Sequence, residues 1–159
     1  MADANLDFYV SLYGEPLDIT TFNRLAWDAS RYIERATTGV DGVKKLKIAP
    51  LTDESDIECL NRCICALIHA MHQVEQAQNT SGYVTREDGT IVGKVISSVS
   101  SGTESISYAA GVNTSYTVAA TDSNAKEQLY FDIVTQHLSG ITDANGVNLL
   151  YMGPYTLGV

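Results

Sequence analysis

Apolar residues recur at steps of three and four along the stretch "DITTFNRLAWDASRYIERATTG", with charged residues between them. This spacing places the apolar side chains on one face of a helix. It predicts an amphipathic helix over about 20–37, capped by Asp18 or Thr20 and ended near Gly39. The apolar positions of this helix are Phe22, Leu25, Ala26, Ala29, Tyr32, Ile33 and Ala36. The aromatic stretch before it, which a Gly and a Pro close, is interpreted as an N-terminal docking arm over 1–19.

A second and longer helical pattern follows a loop that contains "VDGVKKLKIAP". It opens with a Pro, a Thr and four acids, and negative charge is favourable at the start of a helix. The pattern predicts a core helix over about 53–79 and a helical core over 20–81. Its apolar stripe consists of Ile57, Leu60, Ile64, Leu67, Ile68, Met71 and Val74.

The second half of the chain changes in character. Residues 82–121 are rich in Gly, Ser and Thr, with short β-branched stretches and no helical period, which predicts a β-hairpin on a long excursion. A helical pattern returns over 122–140 and stops at Gly140. Residues 141–159 contain an Asn-Gly turn signal and then Pro154, so we expect an extended C-terminal tail.

Together these elements predict a single, mainly α domain over 1–159. It is a small helical bundle of three to four helices, with the hairpin excursion between the core helix and the last helix. A length of 159 residues fits one domain with one core. No apolar run is long enough to span a membrane, and the N-terminus does not resemble a signal peptide. We therefore expect no membrane partner and a protein that stays in the compartment where it is made.

The charge balance argues against a protein that binds phosphate groups. Ten Lys and Arg residues stand against nineteen Asp and Glu residues, and the formal net charge is −9. Lys44, Lys45 and Lys47 form a basic cluster, but no aromatic residues are interleaved with them, so a solvated loop is the simpler interpretation.

Few residues of the sequence suggest a catalytic or metal site. Cys65, His69 and His72 follow one another at steps of four and three on one side of the core helix, and such ligands can bind zinc. The stripe borders the apolar face, where half-buried His and Cys commonly pack against a neighbouring helix or subunit, and packing is the favoured interpretation. No nucleophile elbow and no phosphate loop occurs. We predict no catalytic residue, no metal and no cofactor.

Three stretches, taken in order, resemble the head-tail connector (adaptor) proteins of tailed bacteriophages and prophages. "TFNRLAWDASRYIERATTG" is similar to the first helix of that family, and "VISSVSSGTESISYA" is similar to its Ser-rich signature. "NLLYMGP" is similar to the Leu-Leu-Tyr-x-Gly that closes many members, although "DANGV" is inserted before it and Met152 replaces a common basic residue. The resemblance spans roughly residues 7–155.

The resemblance implies a structural protein of the virion, made in the bacterial cytoplasm and placed in the head-tail connecting region. Members assemble as a ring of about a dozen copies under the portal, and rings need heterologous interfaces between copies. The expected partners are the phage portal protein, head-completion or tail proteins, and other copies of the same chain. DNA passes through the ring without sequence-specific binding, and no enzymatic turnover is expected.

Three groups of site residues follow from this interpretation. The tail is expected to dock on the portal or on an adjacent subunit and to contribute to assembly rather than to folding, through Leu149, Leu150, Tyr151, Pro154 and Tyr155. An inter-subunit hairpin is expected at Val99, Gly102, Ser105, Ile106 and Tyr108, although a flexible Gly/Ser linker also fits its composition. A channel lining that repels the DNA backbone is expected at Asp53, Glu54, Asp56 and Glu58.

Two rival functions belong to other classes. One is a metal- or thiol-dependent enzyme centred on Cys65, His69 and His72. The other is a generic helical binding module. Metal analysis would distinguish the first, and co-purification with a portal protein would distinguish the second.

Overall fold

A computed structural model describes residues 4–14, 16–80, 83–85, 91–93 and 115–155. The described residues are mainly helical, as the sequence predicted. In chain order the helices are α1 (Leu6–Tyr13), α2 (Ile19–Ala36), α3 (Lys45–Ile48), α4 (Glu54–Thr80), α5 (Ser115–Thr121) and α6 (Ser123–Leu138). Two short strands, β1 (Tyr83–Thr85) and β2 (Ile91–Gly93), pair antiparallel with Val84 opposite Val92.

The helix periodicity of the sequence is confirmed in α2, α4 and α6, whose bounds differ from the predicted ones by at most two residues. Asp18 caps α2, because its carboxylate accepts the backbone N–H of Thr21 at 3.1 Å. Asp53 precedes α4 and accepts the backbone N–H groups of Ser55 and Asp56. Local capping chemistry therefore sets both helix starts, and Asp18 is one of the two caps that the sequence predicted for α2.

Two compact units make up the chain, and their boundaries fall inside α4 and α6. The first is Met1–His69 with Phe131–Val159, and the second is Ala70–Tyr130. The prediction of a single domain stays a prediction. The largest fully buried apolar side chains of the first unit come from five segments of the chain: Tyr9, Leu25, Ile33, Leu67, Ile68, Val134, Leu138 and Leu149. In the second unit the buried side chains include Met71, Val74 and Tyr130.

The predicted N-terminal arm contains a core helix. Asn5 caps α1, and Gly14, with φ of 69°, ends it. Tyr9 is fully buried, and its ring meets that of Phe22 edge to face with centroids 5.9 Å apart. Residues 6–13 thus belong to the folded core of the first unit.

Residues 115–121 correct the predicted excursion, since they form helix α5. The stretch "SYTVAA" was interpreted as β-branched and non-helical, but helix propensity is a weak prior that tertiary packing overrides. Ala119 is buried on this helix, and the Thr121 hydroxyl donates back to the carbonyl of Val118. The predicted hairpin at Val99, Gly102, Ser105, Ile106 and Tyr108 lies outside the described residues, and the short ladder of β1 and β2 lies earlier in the chain.

Among the described residues, no helix combines the length and the apolar character that a membrane span requires.

Candidate functional site

The stretch that sequence reasoning singled out as a closing motif is folded back onto its own unit. The chain turns after α6 at Gly140, and the backbone N–H of Leu149 donates to the carbonyl of Ile141 at 2.9 Å. Between them, Asp143 donates its N–H to Val147, and Gly146 adopts φ of 82°. The Asn-Gly turn signal is therefore confirmed, while the tail as a whole is not extended.

Asp143 organises this turn. Its side chain is buried, and one carboxylate oxygen accepts the backbone N–H groups of Asn145 and Val147, both at 2.9 Å. The other oxygen accepts the hydroxyl of Tyr155 at 2.6 Å. Because a buried carboxylate needs several donors, the "DANGV" turn has a structural role: its own N–H groups satisfy Asp143.

Tyr155 is the last described residue of the C-terminal segment, and it is bonded at both its side chain and its backbone. Besides donating to Asp143, its hydroxyl accepts the side-chain amide of Asn145 at 3.0 Å, and its backbone N–H donates to Asp41 at 2.7 Å. Burial and the hydrogen bond to Asp143 raise the pKa of the Tyr155 phenol. The hydrogen bond from Tyr155 lowers the pKa of Asp41. The tail after Met152 is thus fixed to the loop between α2 and α3.

Lys45, which is buried, connects the C-terminal segment to the residues that follow α2. It is only 1% exposed, and its ammonium donates to the carbonyls of Thr37, Leu149 and Tyr151. Burial lowers the pKa of Lys45, and the negative charges of Asp143 and Asp41 oppose that shift. The interpretation of Lys45 as part of a solvated loop was wrong. We call residues 37–45 and 141–155 together the C-terminal clasp.

Gly39 lets the two halves of the clasp approach closely. The N–H of Val40 donates to the carbonyl of Met152 at 2.8 Å. A Cβ atom at Gly39 would lie 2.8 Å from the carbonyl oxygen of Gly153, which is too close for any side chain. Only glycine fits without displacing the tail backbone.

One surface of the clasp remains apolar and exposed. Val40 is 78% exposed, Tyr151 49% and Met152 40%, and the hydrogen bond from Val40 to Met152 keeps these residues together. The Tyr151 ring lies against Gly153, where a Cβ would collide with its hydroxyl end. We call Val40, Tyr151 and Met152 the clasp patch.

The five predicted docking residues differ in their exposure to solvent. Leu149 is fully buried in its own chain, Leu150 is half-buried, and Tyr155 is bonded into the clasp. Tyr151 and Pro154 remain exposed. Exposed Val40 was missed, because nothing in the local sequence links it to a segment more than a hundred residues away.

The predicted channel-lining residues lie at the start of α4. Asp53, Glu54 and Glu58 are exposed, and Asp56 is half-buried. Glu58 pairs with Arg62 at 2.7 Å. These carboxylates form a solvated acidic helix start, and their place in a channel stays a prediction.

Among the residues of the enzyme alternative, Cys65 and His69 have a packing explanation, whereas the Nδ1 of His72 is buried without a hydrogen-bond partner. Cys65 is fully buried, which raises the pKa of its thiol to about 11, so it is protonated near neutral pH. The ring of His69 stacks on Tyr13 at 4.2 Å, and its Nδ1 lies 3.2 Å from the Tyr9 hydroxyl. The Nε2 of His72 lies 3.5 Å from the side-chain amide of Gln76. Over the described ranges, no cluster of three or more His, Cys, Asp or Glu side chains could hold a metal ion.

A comparison of the chain with protein-family models, curated proteins and solved structures found no match.

Proposed function

We propose that this protein is a structural component of a phage neck, a head-tail connector whose copies form a ring that joins the portal of the head to the tail. The ring continues the DNA channel, and its other partners are head-completion or tail proteins. The order of the three family-like stretches and the helical fold of the described residues support the proposal. It assigns the protein no catalytic step and no cofactor.

The observation that carries the proposal is the clasp patch. Exposed apolar groups on a preordered backbone are typical of protein interfaces, because little conformational entropy is lost on binding. Tyr151 and Met152 belong to the closing stretch through which the chain resembles connectors, and the buried Lys45 fixes the backbone beneath them. The patch is therefore proposed as the surface that meets the portal.

The acidic start of α4 fits the same function. Asp53, Glu54 and Glu58 are exposed. Carboxylates that face a channel repel the phosphate backbone and let DNA slide without adhering. This part of the proposal is secondary to the clasp patch.

The test is complex formation with the portal protein of the same phage, measured by mass photometry. The wild-type chain is expected to bind, and Tyr151→Ala with Met152→Ser is expected to weaken binding at least about tenfold, as for truncated interface anchors. Val118→Ser is the matched control, since Val118 is equally exposed but lies on α5.

Absence of any wild-type complex up to tens of micromolar would refute the connector function. Normal binding of the Tyr151→Ala, Met152→Ser variant would show that the clasp patch is not part of the portal interface. Binding to an unrelated helical protein in place of the portal would favour the generic binding module.

A further inference from the structure

The cations of this acidic chain are concentrated in one segment. Six of its ten Lys and Arg residues lie between positions 24 and 47, together with three acids, and five of these six cations are outside the core because only Lys45 is buried; within 53–58 there are four acids and no Lys or Arg. A chain with a net charge of −9 repels other copies of itself, unless surfaces of opposite sign meet. The two segments offer such surfaces, and both belong to the first unit.

The basic segment forms a defined cluster around one carboxylate. Glu34 contacts Arg31 at 3.5 Å, Lys44 at 2.6 Å and Lys47 at 3.4 Å. The hydrogen bond from Lys44 lowers the pKa of Glu34, so the carboxylate is ionised. Three cations therefore share this one carboxylate.

An exposed tryptophan adjoins this cluster. Trp27 is 65% exposed on α2, and the guanidinium of Arg31 lies 5.6 Å from the centre of its ring. Tryptophan and arginine are the residues most enriched at the centres of protein interfaces. We call Trp27, Arg31, Lys44 and Lys47 the basic face.

We propose that the basic face of one copy binds the acidic start of α4, centred on Glu54 and Glu58, of a second copy, which takes these two carboxylates out of the proposed channel lining and leaves Asp53 to it. The inference rests on the proposed function, because this head-to-tail contact is the heterologous interface that a ring requires. Charge complementarity selects this occupant: within the described residues each copy carries both the basic face and the acidic start of α4, where Glu54 is exposed and Glu58 is exposed beside Arg62. Arg31 lies beside Trp27, and the N–H groups of its guanidinium can donate to a carboxylate.

Charge reversal with complementation tests this contact. The first variant carries Arg31→Glu and Lys47→Glu, and leaves the pair of Lys44 and Glu34 intact. The second carries Glu54→Lys and Glu58→Lys. Each variant alone brings like charges together, but a mixture of the two restores opposite charges at every contact.

Sedimentation velocity without the portal, at low salt, provides the measurement. We expect the wild-type chain to self-associate at concentrations up to several hundred micromolar. Each variant alone should associate at least about tenfold more weakly, and the equimolar mixture should associate as strongly as the wild type. Trp27→Ala is expected to weaken association as well. Circular dichroism verifies that each variant folds, and Asp7→Lys, an exposed charge reversal on α1, is the control.

Each outcome decides the proposal. Failure of the mixture to recover, or no self-association of the wild type, would overturn it. Binding of a DNA oligonucleotide by the wild-type chain, with loss of that binding in the first variant and no self-association of the wild type, would assign the basic face to nucleic acid instead. Because the portal is absent from this experiment, its outcomes are independent of portal binding. A failure of self-association would therefore not refute the connector function, which the portal-binding experiment tests.

Discussion

Lys45 is a buried cation whose three partners are all backbone carbonyls. An ammonium has three protons to donate, so the carbonyls of Thr37, Leu149 and Tyr151 use its full capacity. Removal of the ammonium leaves carbonyl groups without a donor inside the protein. At the scale of single residues, Lys45 is therefore the group on which the C-terminal clasp depends most.

Lys45→Met is expected to lower the free energy of unfolding by about 3 kcal/mol, because buried acceptors lose their donor while the side-chain volume is kept. Urea unfolding followed by circular dichroism measures the change. Lys47→Met is the control: Lys47 lies two residues away, is exposed, and makes a surface ion pair worth about 0.5 kcal/mol. Equal effects of the two substitutions would show that Lys45 is not a buried donor in solution.

At the scale of elements, hydrogen bonds hold the C-terminal segment and the loop after α2 together. The hydrogen bonds from Val40 to Met152 and from Tyr155 to Asp41 connect them on either side of Gly153. The close approach of Gly39 to Gly153 leaves no room for a methyl group. The loop and the tail are thus expected to open together when this approach is prevented.

Gly39→Ala is expected to release the tail while α2 and α4 stay folded, because the added Cβ would push the Gly153 carbonyl away. Hydrogen exchange should accelerate at the amides of Val40 and Tyr155, at least about tenfold, with little change in helical circular dichroism. Val40→Ala is the control, because it shortens an exposed side chain but keeps the same N–H bond. Unchanged exchange in Gly39→Ala would contradict the clasp geometry.

At the scale of the whole molecule, the tail contributes to folding and, in the proposed function, to assembly as well. The sequence led us to expect that residues beyond Met152 serve assembly rather than folding. In the structure, Tyr155 bonds to Asp143, Asn145 and Asp41 of its own chain. The expectation of a purely assembly-related tail is therefore corrected, and the tail both completes the fold of its unit and holds the clasp patch in place.

Deletion of residues 153–159 is accordingly expected to lower the thermal midpoint as well as binding to the portal, because buried Asp143 loses the Tyr155 hydroxyl. Tyr155→Phe should lower the midpoint less, since it removes the hydroxyl but keeps the backbone bond to Asp41. Differential scanning calorimetry and mass photometry give the two readouts. A truncated chain with an unchanged midpoint would show that the tail contributes nothing to folding.

The sequence alone determined the helices that depend on local information. The 3.6-residue period of α2 and α4, and the capping of α2 by Asp18, depend on residues within one or two turns of each other, so both can be predicted from the local sequence. The Asn-Gly turn was predictable for the same reason. Helix α5 was missed, because Thr117 and Val118 disfavour a helix locally and burial of Ala119 was not visible.

Only the tertiary structure decided what Lys45 and Tyr155 do. Lys45 meets the carbonyl of Leu149, 104 positions away, and Tyr155 meets Asp41 from 114 positions away. A lysine in a loop is normally solvated, and nothing near it in sequence indicates three distant carbonyls. Whether a polar group is buried and satisfied depends on which distant segments meet, and that is settled by packing of the whole chain rather than by local pattern.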